Sequence, residues 1–291
     1  MTDSAAALPA EVVEHHGIRV VPLWLSIGDE RHRDGEIDLD EVVRRFAEPI
    51  STAAPSPGEF ATAIAAARRS GPVLVLTVAS RMSSSYDSAR LGAKLVADEF
   101  LGDRAPGATD ARDGGPEVAV VDTGTAAGAQ AQVVLAAARA ASDGAGLATV
   151  VAVAEQVAAR VRLVATVSDL ERLARSGRVP EAARRIGDRL GVRPLFEFRD
   201  GRARPLRPAF SAAAARERIV QRCGADSPDG HGSGGRLHAT VLHALDPDAA
   251  ADLVARLEPL HPASCVVGPF SPVMVVHTGR GLAGLAWWWQ R

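Results

Sequence analysis

The chain has 291 residues, a formal net charge of −2, 47 % hydrophobic and 23 % charged residues, and two cysteines without metal-like spacing. At about 150 residues per domain this length suits two domains, with enough apolar material for a substantial core and no like-charge block to favour nucleic acid or an anionic membrane surface. No apolar run reaches the roughly 18 residues of a membrane span, and "MTDSAAALPAEVVEHHG" lacks the basic start and apolar stretch of a secretion signal, so a cytoplasmic protein with reduced Cys223 and Cys265 is expected.

Strand-like runs alternate with alanine-rich amphipathic helices. "IRVVPLWLSI" (18–27) reads as one strand and "DLDEVVRRFAE" (38–48) as a helix opened by aspartate. "SPGEFATAIAAARRSG" (56–71) carries a serine cap, a proline in the first turn and a closing glycine. Residues 73–78 are an unbroken apolar strand, 85–100 a helix, 117–123 a strand and 128–141 a helix. All-apolar strands alternating with helices predict a mostly parallel sheet covered by helices on both faces. A stretch rich in Gly, Pro and Asp (102–116) predicts an exposed loop. The second half opens near Val161 with the strand "VRLVATV" and the short helix "DLERLARSG". "RPLFEFRDGRARPL" reads as two strands around an Asp200-Gly201 turn. Residues 224–235 are of low complexity, and later strands are expected in "RLHATVLHAL" and "CVVGPFSPVMVVHTG". The expected fold is α/β, divided into an N-terminal α/β domain (1–160) and a C-terminal α+β domain (161–291).

Three polar clusters interrupt this pattern. "SRMSSSYDSA" places Ser83, Ser84 and Ser85 where a buried strand turns into a helix. In open α/β sheets ligands bind beyond the carboxyl ends of the strands. There the helix offers unpaired N–H groups and the positive end of its dipole, which suit a carboxylate or phosphate. The alternative is a simple helix cap, which needs only one of the three hydroxyls. "PISTAAPSPGEF" (49–60) holds Ser51, Thr52 and Ser56; Ser56 is the natural cap before Pro57, which leaves Ser51 and Thr52 for a ligand or for an ordinary exposed loop. "VMVVHTGRGLAG" (273–284) contains a formal G-x-G-x-x-G, but only seven residues follow Gly284, too few for a dinucleotide-binding unit. It reads as a strand ending in His277, Thr278 and a glycine-rich turn, which either faces a small anion or packs a C-terminal helix. There is no phosphate-binding P-loop and no G-x-S-x-G elbow. Adjacent His15 and His16 do not share a helix face and make a poor metal pair. Trp287, Trp288 and Trp289 read as packing residues at the chain end.

In order along nearly the whole chain, these segments resemble the DegV family of bacterial fatty-acid-binding proteins. "TDSAAALP" is similar to T-D-S-x-x-x-L-P, and "VVPLWLSIGDERHRDGEID" to a strand followed by G-D-E and D-G. "STAAPSPGEF" resembles T-S-Q-P-S-P-G-E-F, and "SRMSSSYDSA" resembles S-x-L-S-G-T-Y-x-S-A. "LERLARSGRVP", "VRPLFEFRDGR" and "HTGRG" resemble L-x-x-L-x-x-G-G-R-I, I-K-P-[IL] with D-G-[KR], and H-T-G-P-G. The resemblance implies a lipid tunnel between two domains. It implies a carboxylate site at Thr52, Ala53, Ser83 and Ser84, with His277, Thr278, Gly279 and Arg280 in the head-group vicinity. It implies a long-chain fatty acid as ligand, no cofactor or metal, and a fatty acid kinase as the partner that performs the catalysis and forms an acyl phosphate. A lipid-binding or sensing protein without a kinase is the second reading, and an acyl hydrolase using Ser83 or Ser84 with His277 the third. The chain departs from the pattern at Ala53 and Ala54, where a serine and a glutamine are replaced, and at Phe210, which aligns with an arginine. Arg207 or Arg280 is expected to supply the lost guanidinium. The strand that precedes T-D-S in the family is expected to be missing, which suggests a start upstream of Met1.

Overall fold

The structure is a computed structural model and describes residues 1–102, 118–168, 172, 192–230, 232 and 234–291. The first sheet holds β1 (Thr2–Asp3), β2 (Val20–Val21), β6 (Val73–Thr77) and β7 (Val118–Asp122) in the order β2-β1-β6-β7, with every pair parallel. β1 is central although only two residues long. Val73 and Val75 of β6 face Phe60 and Ile64 of α3 (Pro57–Arg68) and Ala89 of α4 (Ser85–Gly102). Leu74 and Leu76 face the opposite way, toward α5 (Ala127–Ser142) and α6 (Leu147–Arg160). Burial on both faces is what makes the strand continuously apolar. The expected loop at 102–116 lies outside the described residues from 103 onward.

The stretch 18–27 forms two strands rather than one. Pro22 lacks the N–H that a continued ladder needs. The chain therefore leaves the parallel sheet after β2 and enters a second, antiparallel sheet of β3 (Trp24–Ile27), β4 (Glu30–Arg33) and β5 (Ile50–Ala53) in the order β4-β3-β5. Ser51 and Thr52 thus lie on a strand, not in a loop. Between β4 and β5, α1 (Ala10–His15) having come earlier, the chain makes α2 (Leu39–Arg44), capped by Asp38. α3 begins as its sequence predicts: Ser56 and Glu59 form a reciprocal capping box with Pro57 in the first turn.

The six-stranded sheet has the order β10-β9-β8-β13-β11-β12. It comprises β8 (Arg162–Thr166), β9 (Arg193–Arg199), β10 (Arg202–Ala209), β11 (Arg236–His243), β12 (Ser264–Pro269) and β13 (Ala283–Gln290). β9 and β10 form the expected hairpin, with Asp200 and Gly201 at positive φ in its turn. The helix expected in "DLERLARSG" lies outside the described residues except for Arg172. α7 (Ala212–Ala225) and α8 (Pro247–Leu257) cover one face of the sheet. α5 and α6 cover the other.

Two corrections concern the end of the chain. Residues 272–278 are a helix, α9 (Pro272–Thr278), not a strand. The glycine turn that follows leads into the interior strand β13, not into a terminal helix. The three tryptophans alternate along it. Trp287 and Trp289 pack under α7 and α8, while Trp288 faces α5.

α5 joins the two layers. Residues 127–137 are all buried, and the amides of two glutamines point to opposite sheets. Gln130 Nε2 donates to Asp3 Oδ1 at 2.9 Å, while Gln132 Nε2 donates to Thr240 Oγ1 at 2.7 Å and Trp288 Nε1 donates to Gln132 Oε1 at 3.2 Å. Gly128 allows close approach, since a Cβ there would lie 2.9 Å from Thr240 Cγ2.

Candidate functional site: a cavity with a hydroxyl-lined end

A cavity of about 440 Å³ opens between the halves of the chain, within the range of about 300–1,000 Å³ typical of small-molecule sites. Its walls are mostly apolar: Ala5, Leu23, Val78, Met82, Ala126, Val273 and Met274. Its polar lining is Thr52, Ser83, Ser84, His277 and Thr278, with Ala53 and Ala54 next to Thr52. The parallel order reverses direction between β1 and β6, and the cavity lies past the carboxyl end of β6, the expected ligand position in such sheets.

The serine run sits at the start of α4, and its members differ. Ser85 is fully buried and hydrogen-bonds the carboxylate of Asp3. Ser83 Oγ accepts from the Ser85 N–H at 3.2 Å and lies 3.1 Å from Ser85 Oγ. Ser84 is exposed, and among the described residues its hydroxyl has no hydrogen-bond partner. Ser85 therefore organises the interior, Ser83 serves the helix start and also lines the cavity, and Ser84 lines the cavity.

Asp3 underlies this arrangement, and no sequence signal beyond the T-D-S resemblance pointed to it. It is fully buried and accepts from Val78 N at 3.0 Å, from Gln130 and from Ser85. Burial raises its pKa to about 6, against the opposing effect of those donors. The strand-to-helix loop has a second support. The Ser80 N–H donates to both oxygens of Asp122 at 3.2 Å, and Gly201 N of the β9–β10 turn donates to Gly124 O at 2.7 Å.

The opposite side of the cavity is α9. His277 Nε2 lies 2.9 Å from Thr52 Oγ1, a contact that joins residues 225 positions apart. The Thr278 hydroxyl donates to Met274 O at 3.1 Å, and Gly279, at φ 72°, ends the helix with its N–H on Val275 O. Arg280 is exposed and is not part of the cavity lining. Arg207 lines a different groove, with Leu195, Leu206 and Arg218, and the Phe210 side chain is 80 % exposed. Neither arginine is brought to the hydroxyls. Arg172 reaches the neighbourhood instead. Its guanidinium lies 3.4 Å over the Phe46 ring, and its Cδ would be 3.3 Å from a Cβ at Gly279. Among the described residues no group of His, Cys, Asp and Glu could hold a metal ion.

A family model described as an uncharacterised protein of the DegV family matches residues 1–289. The chain belongs to the DegV family. A DegV domain-containing protein of Streptomyces coelicolor is 32 % identical over 292 residues, covering 98 % of this chain and 96 % of that protein. A DegV family protein of Thermus thermophilus, described by its fatty acid binding, superposes with a TM-score of 0.84 at 28 % identity, covering 99 % of this chain and 98 % of that one. DegV of Bacillus subtilis, described as a fatty acid binding protein, superposes with a TM-score of 0.81 at 25 % identity, with the same coverage. The match thus extends over all three sheets, and Thr52, Ser83, Ser84, His277 and Thr278 line one cavity in this chain.

Proposed function

We propose that this chain binds a long-chain fatty acid between an N-terminal unit (1–160) and a C-terminal unit (161–291). The tail occupies the cavity and the carboxylate meets Thr52, Ser83, Ser84 and the backbone at Ala53. The observation that carries this reading is the pairing of apolar walls with a hydroxyl and imidazole end in one cavity, in a family whose Thermus and Bacillus members are described as binding fatty acids. Burying roughly 15 methylenes at about 0.8 kcal/mol each yields on the order of 12 kcal/mol gross, which association and ordering costs cut deeply. The hydroxyls then serve to orient the carboxylate and to keep it from being buried unpaired. Neutral donors leave one carboxylate oxygen available to attack a phosphoryl group. We therefore infer a cytoplasmic carrier that presents the acid to a fatty acid kinase, the acyl phosphate being made by the partner.

Solvent extraction of the purified protein followed by mass spectrometry tests the binding. A C14–C20 fatty acid is the expected content; none found, and none bound when offered, overturns the reading. Acyl phosphate formed only after a kinase is added supports the carrier role, whereas its failure to form with competent kinases leaves lipid sensing as the function. Hydrolysis is disfavoured by the hydrogen bonding, since Ser83 is engaged with Ser85 while His277 Nε2 is engaged with Thr52.

A further inference from the structure

The helix carrying His277 does not cap itself. Ser271 occupies its N-cap position, but the side chain makes no capping hydrogen bond to the helix. That role falls to Asp34, which follows β4 directly and is 239 residues away in sequence. Its Oδ1 accepts from Val273 N at 3.1 Å, and its Oδ2 accepts from Ser271 Oγ at 2.8 Å and Ser4 Oγ at 2.6 Å. Ser4 Oγ in turn accepts from Leu23 N at 3.0 Å, and Asp34 N donates to Leu23 O at 2.8 Å. Leu23 and Val273 are both walls of the cavity.

The same three-stranded sheet also holds the other end of α9. Thr52 on β5 pairs with Leu25 of β3, and β3 pairs with β4, which leads into Asp34. The helix is thus tied to one sheet at Val273 through Asp34 and at His277 through Thr52, two points about 6 Å apart along the helix axis. With one tie a short helix can turn or slide; with two its height and rotation are set.

We propose that Asp34 is a positioning residue of the carboxylate site, capping α9 from the β3–β5 sheet and so fixing His277 against Thr52. The proposal rests on the fatty-acid reading above and deepens it. Asp34 does not touch the ligand; its effect passes through the helix. Loss of the carboxylate leaves the apolar walls in place but frees the imidazole from its register, so recognition of the head group suffers and recognition of the tail does not.

The test compares oleic acid with oleyl alcohol, each measured by displacement of a fluorescent polyene fatty acid from the full chain. Wild type is expected to prefer the acid, and Asp34→Asn to reduce the acid-to-alcohol affinity ratio by roughly tenfold, the scale of one charge-assisted hydrogen bond, with alcohol affinity nearly unchanged. Thr52→Val should remove much of the same preference, and the double variant should lose less than the product of the two, because both act on one helix. Equal loss for acid and alcohol in Asp34→Asn would mean general structural damage and would overturn the proposal, as would an unchanged ratio. Should Asp34→Asn fail to fold, Ser271→Ala removes one of the ties to the carboxylate and is expected to lower the ratio by a smaller factor; an unchanged ratio there counts against the proposal. If wild type binds neither probe, it is the fatty-acid reading that fails.

Discussion

Replacing Asp3 by asparagine should change how stability depends on pH. In the native state Asp3 is fully buried, and its pKa is raised from 3.8 to about 6, chiefly by desolvation, with hydrogen bonds from Gln130, Val78, Ser85 and Ala5 acting against the rise. In the unfolded chain the ordinary value returns. Between these values the native state holds a proton that the unfolded state has released. Stability contributed by the protonated carboxyl is therefore complete below about pH 4 and is lost as pH rises through about 6. The displacement is about two units, which at 1.36 kcal/mol per unit amounts to about 3 kcal/mol.

Urea unfolding of wild type and Asp3→Asn, at intervals between about pH 4 and pH 7, measures this directly. The stability of wild type minus that of the variant should fall by about 3 kcal/mol across the window, then flatten. Groups common to both proteins drop out of the difference, among them the Met1 ammonium, which burial lowers to about 6, and Asp34, which burial raises. A constant offset would reflect only hydrogen bonds altered by the amide. Parallel stability curves would refute the reasoning, because they would mean that Asp3 titrates alike in both states.

Neighbouring serines should respond in opposite ways. Ser85→Ala removes a donor from the buried Asp3 carboxylate and should cost about 1–3 kcal/mol in urea unfolding. Ser84→Gly removes an exposed hydroxyl that lines the cavity and should leave stability within about 0.5 kcal/mol while lowering affinity for oleic acid more than for oleyl alcohol. Gly128→Ala would place a methyl group 2.9 Å from Thr240 Cγ2 and 3.0 Å from Leu242 Cδ2, and should cost about 1–3 kcal/mol in thermal or urea unfolding. Arg280→Ala should leave fatty acid affinity unchanged in a titration, because the exposed guanidinium lies outside the cavity lining; a large loss would restore Arg280 to the head-group vicinity expected from the sequence.

What the amino-acid order reveals depends on the range of the interaction. The strand Val73–Thr77 was legible because burial on both faces demands an unbroken apolar run. The α3 cap was legible because Ser56, Pro57 and Glu59 are neighbours. The helix Pro272–Thr278 was not, because seven nearly all-apolar residues display no period that separates helix from strand. Its cap comes from Asp34, and nothing near residue 272 announces it. The break at Pro22 was readable in principle, yet the apolar residues on both sides mask the change of sheet. In the cavity, Thr52 and the serines drew attention as hydroxyls without a local duty. Asp3 and Asp34 did not, because their duties appear only when Gln130 and Val273 arrive from 127 and 239 residues away.

That contrast bears on how the cavity can hold an anion without a cation in its described lining. Asp3 and Asp34 stand behind the polar end, one behind Ser85 and the other behind the first turn of α9. Two carboxylates so placed would repel a third if all were ionised. Desolvation raises the pKa of both, which weakens that repulsion, and each is surrounded by neutral donors that disperse its charge. The polarity of the donors also matters. The Ser83 and Ser85 hydroxyls lie 3.1 Å apart, and either can donate to the other. Ser83 can donate its O–H to Ser85 Oγ, or turn it to a ligand carboxylate while its oxygen still accepts from Ser85 N. The exchange costs one neutral hydrogen bond and forms one to a charged acceptor, about twice as strong. On the proposed reading, such a site would hold the acid by its tail and orient it by hydroxyls, with no ion pair to be broken in passing on the head group.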